Sequence, residues 1–384
     1  MSVKHLDAPK SEQILDRREF LAASGSGVLA VALPATSPLM GAASHFTAES
    51  EARAPQVSSG NKRKIPIGVF NADVYKNLSI DAMLDKVSAL GLEAMEIGTG
   101  GYPNSWQCPL DELVADPAKT KAWIKKFEDR GIPVATLSCH GNPVHPDPKH
   151  AAVDRETFKK TVLLAERIGV KVIVGFSGCP GGSPTDTQPN WVAYRWPPEY
   201  DAMLKWQWNE RVIPYWKEAA KFAREHGVHR IAFEMHPNFV VYNPRTLLRL
   251  REAVGEEIGA NCDLSHLFWQ GCDPVEVIHF LGKQGIIYHA HMKDTVLYPE
   301  NVAKYGILNF VFESGDLPLA SDAFRAVGYG HGASTWKSIV QAYMDVGYEG
   351  ILSIENEDPI LSGEVGVERA AYVLKNVRDE LLGA

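Results

Sequence analysis

Several features that define other classes of protein are missing from this 384-residue sequence. Its five cysteines form no CxxC pair, and because their number is odd at least one thiol is free. Lysine and arginine are scattered and the formal net charge is −8, so the sequence has no basic stripe that would bind a phosphate backbone. We therefore expect no nucleic-acid partner. The hydrophobic content of 45% and the charged content of 22% are typical of a globular protein.

The N-terminal segment has the pattern of an export signal. Arg17-Arg18 precedes an uncharged run of small and moderately apolar residues, from Phe20 to Ser44. This pattern resembles a twin-arginine signal. An uncleaved membrane anchor is the alternative, but Gly25, Gly27, Pro34 and Pro38 make a poor spanning helix.

The signal defines the expected domain organisation. Residues 1–45 are predicted to be the signal peptide, residues 46–63 a polar linker and residues 64–384 the folded domain. We expect a periplasmic or extracellular protein with no stable membrane span after signal cleavage.

From Lys64 onward, short apolar runs alternate with amphipathic stretches. The apolar runs predict eight strands, at Ile65–Phe70, Ala94–Thr99, Val134–Ser138, Val172–Phe176, Arg230–Glu234, Ala260–Asp263, Ile286–His291 and Ile351–Glu355. The amphipathic stretches predict eight helices, at Ile80–Leu90, Lys119–Asp129, Phe158–Ile168, Arg211–His226, Pro244–Val254, Pro274–Leu281, Thr335–Val346 and Val367–Leu382. This alternation predicts a single (β/α)₈ TIM barrel. An open doubly wound sheet is the rival fold, but the glycine-rich turn that it usually has after its first strand is absent.

Two connections are longer than this repeat requires, at Ser177–Trp208 and Val296–Ser334. Both follow strands, and long insertions at that end of a barrel are usually lids or binding loops. We therefore expect both to border the active site.

Ionisable side chains end the last four predicted strands, at Glu234, Asp263, His291 and Glu355. Such groups are costly to desolvate unless they are paired or bound to a metal. A salt bridge or a helix cap would explain any one of them, but four in successive units predict one divalent metal site above the barrel. Mixed oxygen and nitrogen ligands suit Mn²⁺, Mg²⁺ or Co²⁺ better than a thiolate-rich zinc site, and Mn²⁺ is the expected ion.

Four motifs resemble a known family. They are Phe233-Glu234-Met235-His236, Asp263-Leu264-Ser265-His266, His291-Met292-Lys293-Asp294 and Ser353-Ile354-Glu355-Asn356. They are similar to motifs of the sugar phosphate isomerase/epimerase group of xylose isomerase-like TIM barrels, and the resemblance spans about residues 64–382. It implies that Glu234, Asp263, His291 and Glu355 bind the metal and that Glu234 and Glu355 also form the acid/base pair. His289 shares a strand face with His291, so the choice between them stays open, although the His-x-Lys-Asp match favours His291.

The resemblance implies a chemistry that is also physically coherent. An isomerase or epimerase removes a proton from a carbon next to a carbonyl and must stabilise the resulting enediolate, which a chelated divalent cation does as a Lewis acid. Two carboxylates on opposite faces of the sugar let one take the proton and the other return it. No arginine cluster marks a phosphate site, so we expect an unphosphorylated sugar or sugar derivative as the substrate.

Further polar side chains are expected to contact the substrate: His140, His145, His236, His266 and Lys293. For the loop histidines His140 and His145, a satisfied structural role is the alternative. Lys293 would either neutralise an oxyanion or form a salt bridge with Asp294 or a ligand carboxylate.

Two alternative functions stay open. The segments Phe176–Gly182, Pro189–Trp191 and His140–Pro143 resemble barrel subunits that cleave 3-keto-glycosides by elimination, in which the same proton abstraction expels a substituent. A non-enzymatic exported sugar-binding protein is the other alternative, although binding alone has little use for paired carboxylates. A homo-oligomer or a partner subunit also stays open.

Overall fold

The computed structural model describes residues 63–71, 74–104, 106–309 and 314–383. The predicted signal peptide and all but the last residue of the predicted linker lie outside these ranges. No helix within the described ranges is long and apolar enough to cross a membrane.

Eight parallel strands close into a barrel. In chain order they are β1 (Ile67–Phe70), β2 (Ala94–Gly101), β3 (Val134–His140), β4 (Val172–Gly175), β5 (Arg230–Glu234), β6 (Ile258–Asn261), β7 (Ile287–Met292) and, after a hairpin of β8 (Asp294–Leu297) and β9 (Asp322–Arg325), β10 (Leu352–Ile354). Pairing of β1 with β10, in which Ile67 lies opposite Leu352, closes the ring. The predicted (β/α)₈ barrel is confirmed.

Helices connect the strands. They are α1 (Ile80–Ala89), α2 (Leu110–Ala115), α3 (Pro117–Glu128), α4 (Pro148–Ile168), α5 (Pro198–Trp206), α6 (Ile213–Glu225), α7 (Pro244–Val254), α8 (Ser265–Phe268), α9 (Pro274–Gly282), α10 (Pro299–Tyr305), α11 (Ala333–Asp345) and α12 (Gly363–Leu382). Polar side chains cap several N-termini; Asn243, for example, forms a capping box with Thr246 at the start of α7. Gly169 ends α4 with a φ of 79°, a left-handed conformation that glycine adopts at no steric cost.

The barrel interior is polar toward the carboxyl ends of its strands. Alternate residues of a strand point to the same face, so His289 and His291 of β7 both point inward, as do Ser138 and His140 of β3. The outer faces of the strands are apolar; the ring of Trp216 in α6, for example, packs 4.5 Å from that of Phe233 in β5. The strands therefore present a polar interior to the barrel mouth and an apolar surface to the helices.

The second long insertion is a folded unit attached to the barrel. It contains α10 and the β8–β9 hairpin, which the sequence analysis did not predict. Buried Asp294 anchors it, because its Oδ2 accepts hydrogen bonds from the backbone N–H groups of Gly328, Gly330 and His331 and from Nε1 of Trp336, at 2.9 to 3.0 Å.

Candidate active site

Four side chains converge at the mouth of the barrel, as the sequence predicts. Glu234 is the last residue of β5, Asp263 follows β6 by two residues, His291 lies in β7 and Glu355 directly follows β10. All four are buried, and each offers one ligand atom within 4.8 Å of those of the others. The Nδ1 atom of His291 lies 3.0 Å from Oε2 of Glu355, 3.3 Å from Oε2 of Glu234 and 3.9 Å from Oδ2 of Asp263.

Asp263 reaches this centre from a turn. β6 ends at Asn261, two residues earlier than predicted, because the N–H of Asp263 donates to the carbonyl of Asn261 and closes a tight turn. Oδ1 of Asp263 accepts the N–H of Ser265 at 2.8 Å, which leaves Oδ2 facing the centre.

Geometry separates the two candidate histidines of β7. His289 directs its Nε2 toward Glu96, at 2.7 Å, and lies one layer deeper in the barrel than His291. Of the two imidazoles, that of His291 is the one that joins Glu234, Asp263 and Glu355.

The donor set fits a divalent metal ion. Three carboxylates and one imidazole supply the mixed oxygen and nitrogen ligands that such ions accept. Oδ2 of Asp263 and Nδ1 of His291 are both buried without a hydrogen bond among the described residues, although Lys293 Nζ lies 3.1 Å from the former. Unpartnered buried polar atoms that face one point are what a site for a cation requires.

Neighbouring donors keep the carboxylates ionised. Burial by itself would raise the pKa of Glu234, but the neighbouring imidazoles of His140, His266 and His291 outweigh it and hold the pKa well below its usual range. Burial likewise opposes ionisation of Asp263, whose pKa is nevertheless lowered by the charge of Lys293. Both groups are therefore available as anionic ligands.

Lys293 is part of the cluster and does not pair with Asp294. Its Nζ lies 2.7 Å from Oε2 of Glu355, 2.9 Å from Oε2 of Glu357 and 3.1 Å from Oδ2 of Asp263. Burial would lower the pKa of Lys293, but these carboxylates raise it well above its ordinary value. Of the two salt bridges considered, the one with carboxylates of the candidate metal site is present, because the carboxylate of Asp294 is occupied by the loop at 328–331.

Three of the predicted substrate-binding histidines surround Glu234. Nε2 of His140 lies 3.1 Å from Oε2 of Glu234, and Nε2 of His266 lies 3.0 Å from Oε1. The ring of His236 packs 4.1 Å from that of His266, and burial lowers the pKa of His236 to about 3, so this imidazole is neutral.

His145 lies apart from this group. Its ring stacks on His150 with a centroid distance of 4.1 Å, and its Nδ1 accepts the N–H of Asp147. These contacts lie in the loop before α4 and in the first turn of that helix, so among the described residues none joins His145 to the four converging side chains. Its role in substrate binding stays a prediction.

An aromatic wall flanks the centre on one side. The ring of Phe176 lies 4.7 Å from that of His140 and 4.9 Å from that of His236, and it stacks on Phe239 at 4.1 Å. Tyr102, with 55% of its surface exposed, continues this wall outward at 6.2 Å from Phe239. The polar centre therefore adjoins an apolar surface on which a sugar ring can stack.

Sequence reasoning missed one buried carboxylate, that of Glu96 in β2. It lies below the centre and contacts His289 and His291. The available signal was its position inside the apolar run Ala94-Met95-Glu96-Ile97, where an ionisable side chain needs a partner.

Comparison with known proteins agrees with this architecture. The family described as "Xylose isomerase-like TIM barrel" matches residues 84–377. An uncharacterized protein, YfiH of Bacillus subtilis (strain 168), is 37% identical over 308 residues, which cover 80% of this chain and 97% of that protein.

Solved structures show the same fold. A xylose isomerase-like TIM barrel protein from Mycobacterium smegmatis in complex with magnesium aligns with a TM-score of 0.55 at 16% identity, covering 83% of this chain and 98% of its own. A D-tagatose 3-epimerase-like protein aligns with a TM-score of 0.55 at 17% identity, covering 83% of this chain and 100% of its own. At these identities the likeness is one of fold.

The candidate metal site leads to a direct prediction at Asp263. Replacement by Ala should release the ion, with a loss of affinity greater than the roughly 10- to 100-fold that removal of an outer partner of a ligand typically costs. The barrel should stay folded, since Lys293 keeps Glu355 and Glu357 as partners. Elemental analysis and circular dichroism measure the two effects. Asp345→Ala, at a half-exposed carboxylate on α11, is the control, and full metal content in the Asp263 variant would remove this residue from the ligand set.

Proposed function

The chain belongs to the xylose isomerase-like TIM barrel family, and from that premise we propose that it is a metal-dependent isomerase or epimerase of an unphosphorylated sugar or sugar derivative. The observation that carries the proposal is the convergence of Glu234, Asp263, His291 and Glu355 on one point at the barrel mouth. Glu234 lies at the end of β5 and Glu355 at the end of β10. Because β6 and β7 lie between these two strands in the barrel, the two carboxylates approach that point from different sides.

The proposed reaction begins with removal of a proton from a carbon next to a carbonyl. A divalent cation, Mn²⁺ in our proposal, would supply Lewis acidity for the oxyanion that forms. Glu234 and Glu355 would take and return the proton, each from its own side of the substrate. Contacts with the imidazoles of His140 and His266 would keep Glu234 oriented, and the ammonium of Lys293 would do the same for Glu355.

Lys293 and the histidines would also bind the substrate. The ammonium of Lys293 is held at the centre by three carboxylates, so it can stabilise negative charge on a substrate oxygen without moving. Neutral His236 can donate or accept a hydrogen bond with a hydroxyl. This mixture of donors beside an aromatic wall suits a polyhydroxylated ring. The D-tagatose 3-epimerase-like protein of the same fold adds support for a sugar as the substrate class.

A lyase that cleaves 3-keto-glycosides is the second candidate. The observation that favours it is the aromatic wall from Phe176 through Phe239, which continues outward to the exposed ring of Tyr102. A leaving group could stack there while the same carboxylates act on the sugar.

Proton transfer is tested by exchange in D₂O. Wild-type protein loaded with Mn²⁺ or Mg²⁺ is incubated with aldoses, ketoses and 3-keto-glycosides, and deuterium incorporation is followed by NMR. Glu234→Gln and Glu355→Gln keep an oxygen ligand but lose basicity, so each should slow turnover by about 10² to 10⁴. Glu257→Gln, at a buried carboxylate that pairs with Arg224 and precedes β6, is the matched control and should retain exchange.

The two candidates give different outcomes in this experiment. An isomerase or epimerase should lose turnover in both Gln variants, whereas a lyase with a single base should release an aglycone and lose exchange in only one. Near-wild-type exchange in both variants with metal bound would contradict the paired-carboxylate mechanism.

We also propose that the protein acts outside the cytoplasm. The support is the sequence around Arg17-Arg18, which a twin-arginine receptor reads as more than positive charge. Replacing both arginines by lysine should retain the precursor in the cytoplasm, as fractionation and immunoblotting would detect. Normal maturation of the Lys-Lys variant would point to another route.

A further inference from the structure

Below the four proposed ligands, the barrel encloses the carboxylate of Glu96. It is fully buried in β2 and touches side chains of three other strands. Ser138 of β3 donates its hydroxyl to Oε1, and Ser353 of β10 donates to Oε2 at 2.6 Å. From β7, Nε2 of His289 lies 2.7 Å from Oε2, and Nε2 of His291 lies 3.1 Å from both oxygens.

His291 therefore joins two layers of the barrel. Its Nε2 faces Glu96, while its Nδ1 faces Glu355 and Glu234 at 3.0 and 3.3 Å. In a neutral imidazole one nitrogen carries the proton and the other has the free lone pair that a metal binds. An acceptor on the Nε2 side keeps the proton there and leaves Nδ1 free.

We propose that Glu96 is a positioning residue for the metal centre. By accepting the Nε2 proton of His291, it fixes the tautomer and the orientation of the ring, so that the lone pair of Nδ1 points at the ion. Metal-bound histidines commonly need such an outer partner. The inference rests on the proposed function, because it assigns His291 as a metal ligand.

The surroundings of Glu96 favour this role over that of a ligand to a second ion. An ionised carboxylate has about four acceptor positions. Two serine hydroxyls and two imidazole nitrogens already occupy the neighbourhood of both oxygens. The serines also hold the carboxylate in place from either side, which is what a positioning group requires.

The experiment is a calorimetric titration of the metal-free full chain with Co²⁺, together with the visible spectrum of the bound ion. Wild type should bind one Co²⁺ per chain. Glu96→Gln removes the charge, and Glu96→Asp keeps the charge but withdraws the acceptor from His291. A positioning role predicts that both variants bind Co²⁺ about 10- to 100-fold more weakly and that the spectrum changes, because the ligand field depends on the orientation of the imidazole.

A matched control is Glu257→Gln. Glu257 is also a buried carboxylate, but it precedes β6 at the opposite end of the barrel and pairs with Arg224. Its Co²⁺ affinity and spectrum should equal those of wild type. Thermal unfolding without metal shows which variants are folded, and if Glu96→Gln does not fold, Glu96→Asp carries the test.

Three results would contradict the inference. Wild-type affinity and spectrum in Glu96→Asp would overturn the positioning role and reduce Glu96 to a background charge. Two Co²⁺ ions per wild-type chain, with one lost in the Glu96 variants, would make Glu96 a ligand and likewise overturn it. A wild-type chain that binds no Co²⁺ would overturn the proposed metal centre and, with it, the inference.

Discussion

Buried negative charge is the constraint on which the mouth of this barrel depends. Four carboxylates, those of Glu96, Glu234, Asp263 and Glu355, are removed from water within two adjacent layers of the interior. An unpaired buried carboxylate is strongly unfavourable, so each needs hydrogen-bond donors or a cation. The one buried lysine among them, Lys293, contacts Asp263 and Glu355 and supplies a single positive charge. A divalent cation at the point where the ligand atoms converge would compensate most of the remainder.

The four carboxylates form two layers that differ in their hydrogen-bond partners. The lower layer is closed, because the oxygens of Glu96 are surrounded by serine hydroxyls and imidazole nitrogens. The upper layer is open toward a ligand, since Oδ2 of Asp263 and Nδ1 of His291 have no hydrogen bond within the described part of the chain. His291 belongs to both layers. The hydrogen-bonded network around Glu96 thus supports the upper layer, whose buried polar atoms still need an ion as their partner. A preorganised site is built in this way.

The fold and the four converging residues were predictable for one physical reason. In a parallel barrel every strand delivers its carboxyl end to the same face, so ionisable residues that end successive apolar strands must meet. Glu234, His291 and Glu355 follow this rule directly. Asp263 follows it although β6 ends earlier, because a tight turn returns its side chain to the centre. This rule did not predict the role of Glu96, because its partners come from three other strands and no regular spacing in the sequence links them to it.

Other features depended on contacts that no local pattern reveals. A single residue, Lys293, separates the end of β7 from the start of the β8–β9 hairpin, and this boundary has no turn signal of its own. Asp294 lies next to Lys293 in sequence, but its carboxylate accepts hydrogen bonds from the glycine-rich loop, whereas Lys293 contacts Glu355. The two side chains leave the backbone in opposite directions. His145 was expected to contact the substrate together with His140, but its ring stacks on that of His150, a contact that no local pattern indicates.

The central claim is that one divalent ion occupies the point shared by Glu234, Asp263, His291 and Glu355. Anomalous diffraction from crystals grown with Mn²⁺, recorded on either side of the manganese absorption edge, locates the ion directly. The account predicts one strong peak within coordination distance of Oδ2 of Asp263 and Nδ1 of His291. A peak between Glu96 and His289, or a centre in which Lys293 alone occupies that point at saturating Mn²⁺, would contradict it.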